Sequence, residues 1–350
     1  MEYLLAFFSL FAADPEIKSD EQVVFFPTTA WYDKTSDSWQ TPIHGWIFEP
    51  EPGSWRRELV LDMLGVSFEF ADDSPEAAIF HRRGAWLLVD NERDKQVQIR
   101  LGDQTYELPE SAANGHFQTT LAIPSAVARA WGVTTERDTT VAYSAITKTA
   151  DRRKFTGQIH FLAPRGTSIV SDIDDTIKIS EVLDRQKLLE NTFLKPFRAT
   201  PGMVEAYRRY AERGLAFHYV SASPWQLFPE LHSFAGTVGY PAGSWHLKPF
   251  RTLDRSALNL LADPVEYKLA TIEPLLKSWP ERRFILIGDT GEKDPEVYGE
   301  LARRHPAQIE RIWLRNVTDE QPDAPRYHRA MRDLPSSQWR LFVDGAELSR

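Results

Sequence analysis

Three short apolar runs in the second half of the chain each stop at a polar residue, and this repetition constrains the fold more than any other feature. Ser168-Ile169-Val170 runs into Asp172-Ile173-Asp174-Asp175-Thr176, Phe217–Val220 runs into Ser221, and Phe284–Ile287 runs into Gly288-Asp289 and on to Asp294. Stretches with helical spacing lie between and after them: Met203–Arg213, closed by Gly214; Lys268–Trp279; and Pro295–Arg304, which precedes a further strand at Ile309–Leu314. Pro274 predicts a kink or an early break in the second of these helices. Strands that alternate with helices predict an α/β unit, a parallel sheet covered by helices on both faces. Such sheets carry their chemistry beyond the carboxyl ends of the strands, which is where the acids fall.

The first 165 residues read differently. Short apolar runs at Val23–Phe26, Ile43–Phe48, Val97–Leu101, Phe117–Ile123, Val141–Ile146 and Gln158–Leu162 alternate with turn signals. Alternation such as Val97-Gln98-Ile99-Arg100-Leu101 suits half-buried strands. Helical spacing is confined to Arg56–Leu64 and Pro124–Trp131. This predicts a mostly β, sandwich-like unit over residues 1–165. A catalytic α/β unit follows over 166–350, after Pro164-Arg165-Gly166, with a small insert near 224–267 that would serve as a lid or cap.

Composition narrows the function. With 350 residues, 42% of them hydrophobic, the chain can bury a substantial core. A formal net charge of -9 argues against non-specific nucleic-acid binding. With no cysteine, a disulfide framework, a thiolate metal site and a cysteine nucleophile are all excluded. The apolar run Leu4 to Ala13, broken by Ser9, is about half the length of a membrane-spanning helix. Glu2 stands where a signal peptide would carry positive charge, and no A-x-A cleavage site follows. The run therefore reads as a short packing or amphipathic helix, and the default location as cytoplasmic.

Asp172-x-Asp174-x-Thr176, then Ser221, Lys268 at the start of the helix before the third strand, and Asp289 with Asp294 form an ordered set. Each item alone is common; the four together, in this order, resemble the haloacid dehalogenase superfamily of phosphotransferases over about half the chain. The strings Ser171–Lys178, Ser221–Leu227 and Ile287–Pro295, with Trp39 and Ile43-His44-Gly45-Trp46-Ile47 upstream, are similar to the actin-patch phosphatidate phosphatase family. The resemblance implies a Rossmann-like parallel sheet of the haloacid dehalogenase type, a Mg²⁺ cofactor and a phosphomonoester substrate. It also implies that this substrate is a lipid phosphate, reached by peripheral contact with a membrane.

Phosphomonoester cleavage needs a nucleophile, an acid for the leaving alkoxide and cations for the equatorial oxygens. Asp172, first after its strand, is the candidate nucleophile and would form an aspartyl-phosphate. Asp172, Asp289 and the backbone carbonyl of Asp174 are candidate Mg²⁺ ligands, with Asp294 supporting them. Ser221 and Lys268 would take phosphoryl oxygens. An acid two residues past the nucleophile favours a phosphatase, because Asp174 can protonate the leaving oxygen and then deprotonate the hydrolytic water. Thr176 would orient the loop and Asp174, and Asp175 reads as a turn residue. Lys178 and Lys248 compete with Lys268, and Ser223 is either a second phosphate contact or a turn cap. Thr192–Arg198 interleaves aromatic and cationic residues, which fits a lipid-facing rim or a buried loop anchor. Besides a lipid phosphate, a soluble phosphorylated metabolite fits the same chemistry. A non-catalytic adaptor does not use the full set of carboxylates.

Overall fold

The computed structural model describes residues 17–50, 57–248 and 264–349. The apolar run Leu4–Ala13 lies outside them, as do Arg56 and residues 249–263.

The N-terminal region is mostly β, as its alternation predicts. Nine strands form one hydrogen-bonded sheet among the described residues. The strand Ser38–Glu49 is its backbone: it pairs antiparallel with Gln22–Phe26, with Thr28–Asp33 and with His116–Pro124. The first half of Thr28–Asp33 instead pairs with Thr156–Phe161 in parallel, so one strand bridges the two ends of the sheet. Trp39, Ile43 and Ile47 from one end then share a core with Ile99, Tyr143 and Ile159 from the other. Ser38–Glu49 is apolar on both faces. Successive side chains point to opposite sides of a strand, so Trp46 and Phe48 face away from that core and join a second one.

The second half is a six-stranded parallel sheet. Its strands are β1 (Thr167–Ser171), β2 (Ala216–Pro224), β3 (Ser244–Lys248), β4 (Arg283–Asp289), β5 (Ile309–Arg315) and β6 (Trp339–Phe342). The spatial order is β3-β2-β1-β4-β5-β6. Near-continuous apolar strands imply burial on both faces, and both are covered. Ile169, Tyr219 and Ile287 pack with Tyr207 and Tyr210 of the helix Met203–Glu212. Val170, Val220 and Leu286 pack with Leu276 and Leu301, from the helices Pro264–Ser278 and Asp294–Arg304, on the other face. Each such fully buried side chain contributes roughly 1.5–3 kcal/mol. Pro274 does not end its helix, which runs on to Ser278; the burial of Ile272, Leu275 and Leu276 offsets the lost backbone bond.

The segment 224–267, read as an insert, is described only in part. Its described part is a short turn of 3₁₀ helix, the helix Phe228–Val238, and β3, which pairs in parallel with β2. β3 alternates, with Trp245 and Leu247 in the core and His246 and Lys248 half-buried. The remainder, 249–263, lies outside the described residues.

The order of the sheet reverses between β1 and β4, which opens a crevice at their carboxyl ends. Ser171 pairs with Tyr219 on one side and with Ile287 on the other, so Asp172 emerges level with Gly288. The two halves of the chain are joined below this point by Arg282. Its buried guanidinium donates to both carboxylate oxygens of Asp138 (3.0 and 2.8 Å), to Ala163 O (2.7 Å) and to Ser168 Oγ (3.0 Å). Gly166 passes beside it with φ of 139°, where a Cβ would stand 3.1 Å from the guanidinium carbon; only glycine fits without strain. Replacing Arg282 with Met strips Asp138 and the carbonyls of their donor. The expected loss is about 3–5 kcal/mol of unfolding free energy in a denaturant titration; a loss under about 1 kcal/mol would show that the guanidinium is not the joint.

Candidate active site

Asp172 leaves β1 through a backbone bond from its N–H to Ile287 O (2.9 Å). Its side chain is buried, with Oδ1 accepting from Lys268 Nζ at 2.9 Å. Lys268 projects from the helix Pro264–Ser278 and is itself buried. It donates also to Glu292 Oε2 (3.0 Å) and Asp294 Oδ1 (2.5 Å). Asp294 turns its other oxygen back to the backbone N–H of Asp289 (3.1 Å). This approach needs Gly288, where a Cβ would stand 2.1 Å from Asp294 Oδ2. Asp289 Oδ1 accepts from the N–H groups of Gly291 and Glu292, which curls the loop and returns Glu292 to the site. The structure thus brings Asp172, Lys268, Asp289 and Asp294 together, and adds Glu292.

Sequence reasoning missed Glu292. It sits inside the run Asp289–Asp294 that was singled out, and the signal was the side-chain-to-backbone turn that an aspartate starts two or three residues ahead of a carboxylate.

Asp174 takes a different neighbourhood. Its Oδ1 accepts from Ser180 Oγ (2.7 Å) and pairs with buried Lys178 (2.8 Å), and its Oδ2 accepts from Ser223 Oγ (2.7 Å) and Ser221 Oγ (3.2 Å). Burial raises its pKa, but the charge of Lys178 and these hydrogen bonds outweigh it and hold the group at about 2. Ser221, expected at the phosphate, and Ser223 both point to this carboxylate. The Thr176 hydroxyl is buried without a partner among the described residues, so Lys178 and the three serines orient Asp174, not Thr176. Asp175 has φ of 52° and accepts the N–H groups of Ser180, Glu181 and Val182; it organises the turn, as its reading predicts.

The remaining acids carry uncompensated charge. Burial pushes Asp172 and Asp289 well above the usual carboxylate range, and repulsion among Asp172, Glu292 and Asp294 adds to it against the pull of Lys268. Glu292 is raised for the same reasons. Oδ2 of Asp172 and Oδ2 of Asp289 are buried and have no hydrogen-bond partner among the described residues. Asp172, Asp289 and Glu292 each offer an oxygen, and these oxygens lie within 4.8 Å of one another. Two orphaned buried oxygens in an all-carboxylate set are what a hard divalent cation fits. Asp294 is outside this trio and is held by Lys268.

A cleft opens beside these acids, and Asp174 and Glu292 are among its lining residues. Leu188, Leu189 and Phe193 of the helix Arg185–Phe193 form one side, and Pro224 and Leu227 form another. Phe193 therefore lines the cleft. Phe197 is instead an anchor, stacked under the Arg83 guanidinium at 3.5 Å and edge-on to Phe234.

Residues 167–316 match the family model described as the catalytic domain of phosphatidate phosphatase APP1. The chain is 31% identical over 182 residues to phosphatidate phosphatase APP1 of Saccharomyces cerevisiae, covering 51% of this chain and 30% of that protein. It is also 31% identical over 172 residues to an uncharacterized protein of Schizosaccharomyces pombe, covering 48% and 28%. The chain thus spans under a third of the curated relatives it matches. Among solved structures, a Thermotoga maritima protein designated a beta-phosphoglucomutase covers 52% of this chain and is itself covered to 96%. The identity is 13% and the TM-score 0.32, a likeness that carries no argument.

The trio makes a measurable demand. Mg²⁺ at about a hundred times its dissociation constant should stabilise the folded chain by about 2.7 kcal/mol, read as a rise in thermal midpoint. Asp289→Asn should remove most of that rise. An unchanged midpoint in the parent chain at millimolar Mg²⁺ would refute the assignment of the trio to a cation.

Proposed function

We propose that the protein is a Mg²⁺-dependent phosphatase of lipid phosphates, cleaving phosphatidate to diacylglycerol and phosphate through an aspartyl-phosphate on Asp172. The observation that carries this reading is Asp172 itself. It stands at the switch point of the sheet with one oxygen on Lys268 and the other without a hydrogen-bond partner among the described residues, inside the stretch that matches a phosphatidate phosphatase catalytic domain.

Asp172, Asp289 and Glu292 would hold the cation, with a carbonyl of the Asp174 turn as a further ligand. When bound, the ion offsets the repulsion between carboxylate and phosphate and polarises the phosphoryl oxygens. In the first step a carboxylate oxygen of Asp172 attacks phosphorus and the bond from phosphorus to the leaving oxygen breaks. Lys268 holds the nucleophile in place and supplies positive charge to the transferring group. In the second step water attacks the same phosphorus, and the bond to Asp172 breaks to release phosphate. Asp174, held as an anion by Lys178, is already in the form that takes a proton from that water. To protonate the leaving oxygen in the first step it must be released from Lys178 and take up a proton from solvent, which the proton taken from the hydrolytic water then replaces.

The substrate class rests on the cleft. Leucine and phenylalanine side chains beside the reacting carboxylates favour a leaving group with hydrocarbon over a polar metabolite. Among the described residues no helix is long and apolar enough to cross a membrane, so contact of these residues with a bilayer would be peripheral.

Phosphate release should be measured with Mg²⁺ on phosphatidate in mixed micelles and on a panel of soluble phosphomonoesters. Phosphatidate is expected to be the best substrate. Asp172→Asn is expected to lower kcat by about a thousandfold or more with an unchanged circular dichroism spectrum, because an amide cannot form the acyl-phosphate. Turnover of soluble esters with none of phosphatidate would overturn the lipid assignment alone; an active Asp172→Asn enzyme would overturn the mechanism.

A further inference from the structure

We propose that the helix Arg57–Leu64, which belongs to the N-terminal region, is a wall of the substrate cleft, and that Leu64 makes the enzyme selective for hydrocarbon on the leaving group. The inference rests on the phosphatase reading above and extends it to a part of the chain outside the matched stretch 167–316.

Leu64 ends its helix and faces the same cleft as Leu189, Phe193, Leu227 and the acids Asp174 and Glu292. It is buried in one core cluster with Phe193 and Leu227. Two cations fasten this wall. Arg185, at the start of the helix that carries Phe193, donates to Leu64 O (3.0 Å) and Gly65 O (3.4 Å). These are carbonyls at a helix C-terminus, where a guanidinium is favoured. Arg83, from the helix Pro75–Ala85, is buried and donates to Thr192 O (2.6 Å) and Lys195 O (2.9 Å). The two helices inserted between the strands Ser38–Glu49 and Asp90–Asn91 therefore hold the helix Arg185–Phe193 against the cleft from outside.

Phosphoryl transfer at Asp172 needs carboxylates, cations and hydrogen-bond donors. It gains nothing from a leucine brought in from more than a hundred residues away. Leu64 packs the core, but its place on the cleft wall adds to catalysis only if the group leaving phosphorus carries apolar carbon that must be removed from water. The cleft reaches Asp174 and Glu292, and Asp174 would protonate the leaving oxygen, so the occupant is the alcohol half of the substrate. The chemistry selects an alcohol with hydrocarbon close to the ester oxygen, whether it belongs to a lipid or to a free alkyl phosphate.

The experiment uses soluble monoalkyl phosphates from ethyl to octyl, with Mg²⁺, and the full chain alongside Leu64→Gln and Arg185→Gln. In the parent enzyme kcat/KM should rise by about fourfold for each methylene that enters the cleft. The octyl-to-ethyl ratio should fall at least about tenfold in Leu64→Gln and should fall in Arg185→Gln as the wall loosens. Arg185 is exposed, so that variant carries the test if Leu64→Gln does not fold. A flat chain-length profile in the parent enzyme, or an unchanged ratio in both variants, overturns this inference and leaves the phosphatase chemistry standing. No phosphate release from any ester overturns the phosphatase reading itself.

Discussion

The site depends on one buried cation facing too many buried anions. Lys268 meets Asp172, Glu292 and Asp294 at once, and Asp289 adds a fourth acid. Its ammonium is held charged well above its usual range because those acids outweigh the cost of burying it. One positive charge cannot satisfy four carboxylates, and a buried charge without a partner is costly. The lysine fixes the geometry of the acids and leaves more carboxylates than one cation can pair. Asp174 lies outside this deficit because it has Lys178 of its own, which is why the two carboxylates of one short loop differ so sharply in proton affinity.

That arrangement is delivered by the sheet. Asp172 and Asp289 come from strands 117 residues apart, yet β1 and β4 are direct neighbours in register. A slip of one residue would turn every side chain of β1 to the opposite face, moving Ile169 and Val170 out of their two cores. Burial on both faces therefore fixes the register, and the register fixes the distance between the two acids. Gly288 completes the fit, since any side chain there would occupy the space of the Asp294 carboxylate.

The order of strands and acids in the second half was legible because each element carries its signal locally. Apolar runs such as Phe284–Ile287 stop at the residues that do the work. What was not legible depends on partners distant in sequence. The roles expected of Ser221 and Thr176 followed from their place in the motif. Whether a hydroxyl turns to a phosphate or to Asp174 is decided by Lys178, Ser180 and the bend of β2 after Ser221. The edge strand β3 shows its alternation over only four residues, Trp245-His246-Leu247-Lys248, at the short limit of a strand signal. The helix Pro75–Ala85 was overlooked although Ser74 caps it and Pro75 opens it, a start signal outweighed by the β character around it.

The break in character at Pro164-Arg165-Gly166 marks where one kind of structure gives way to another, but not where one core ends. Phe26, Trp46 and Phe48 from the β region lie in one apolar cluster with Tyr219, Trp225 and Phe228 from the α/β sheet, and His116 stacks on Trp225. An interface made of core residues on both sides behaves as a shared interior and not as a hinge. The strand Ser38–Glu49 makes this unavoidable: with Ile43 and Ile47 in one core and Trp46 and Phe48 in the other, its stretch Trp46–Phe48 is buried on both faces. The β region is therefore held to the catalytic sheet by the same burial that folds it, and its inserted helices reach the cleft because that docking sets them there.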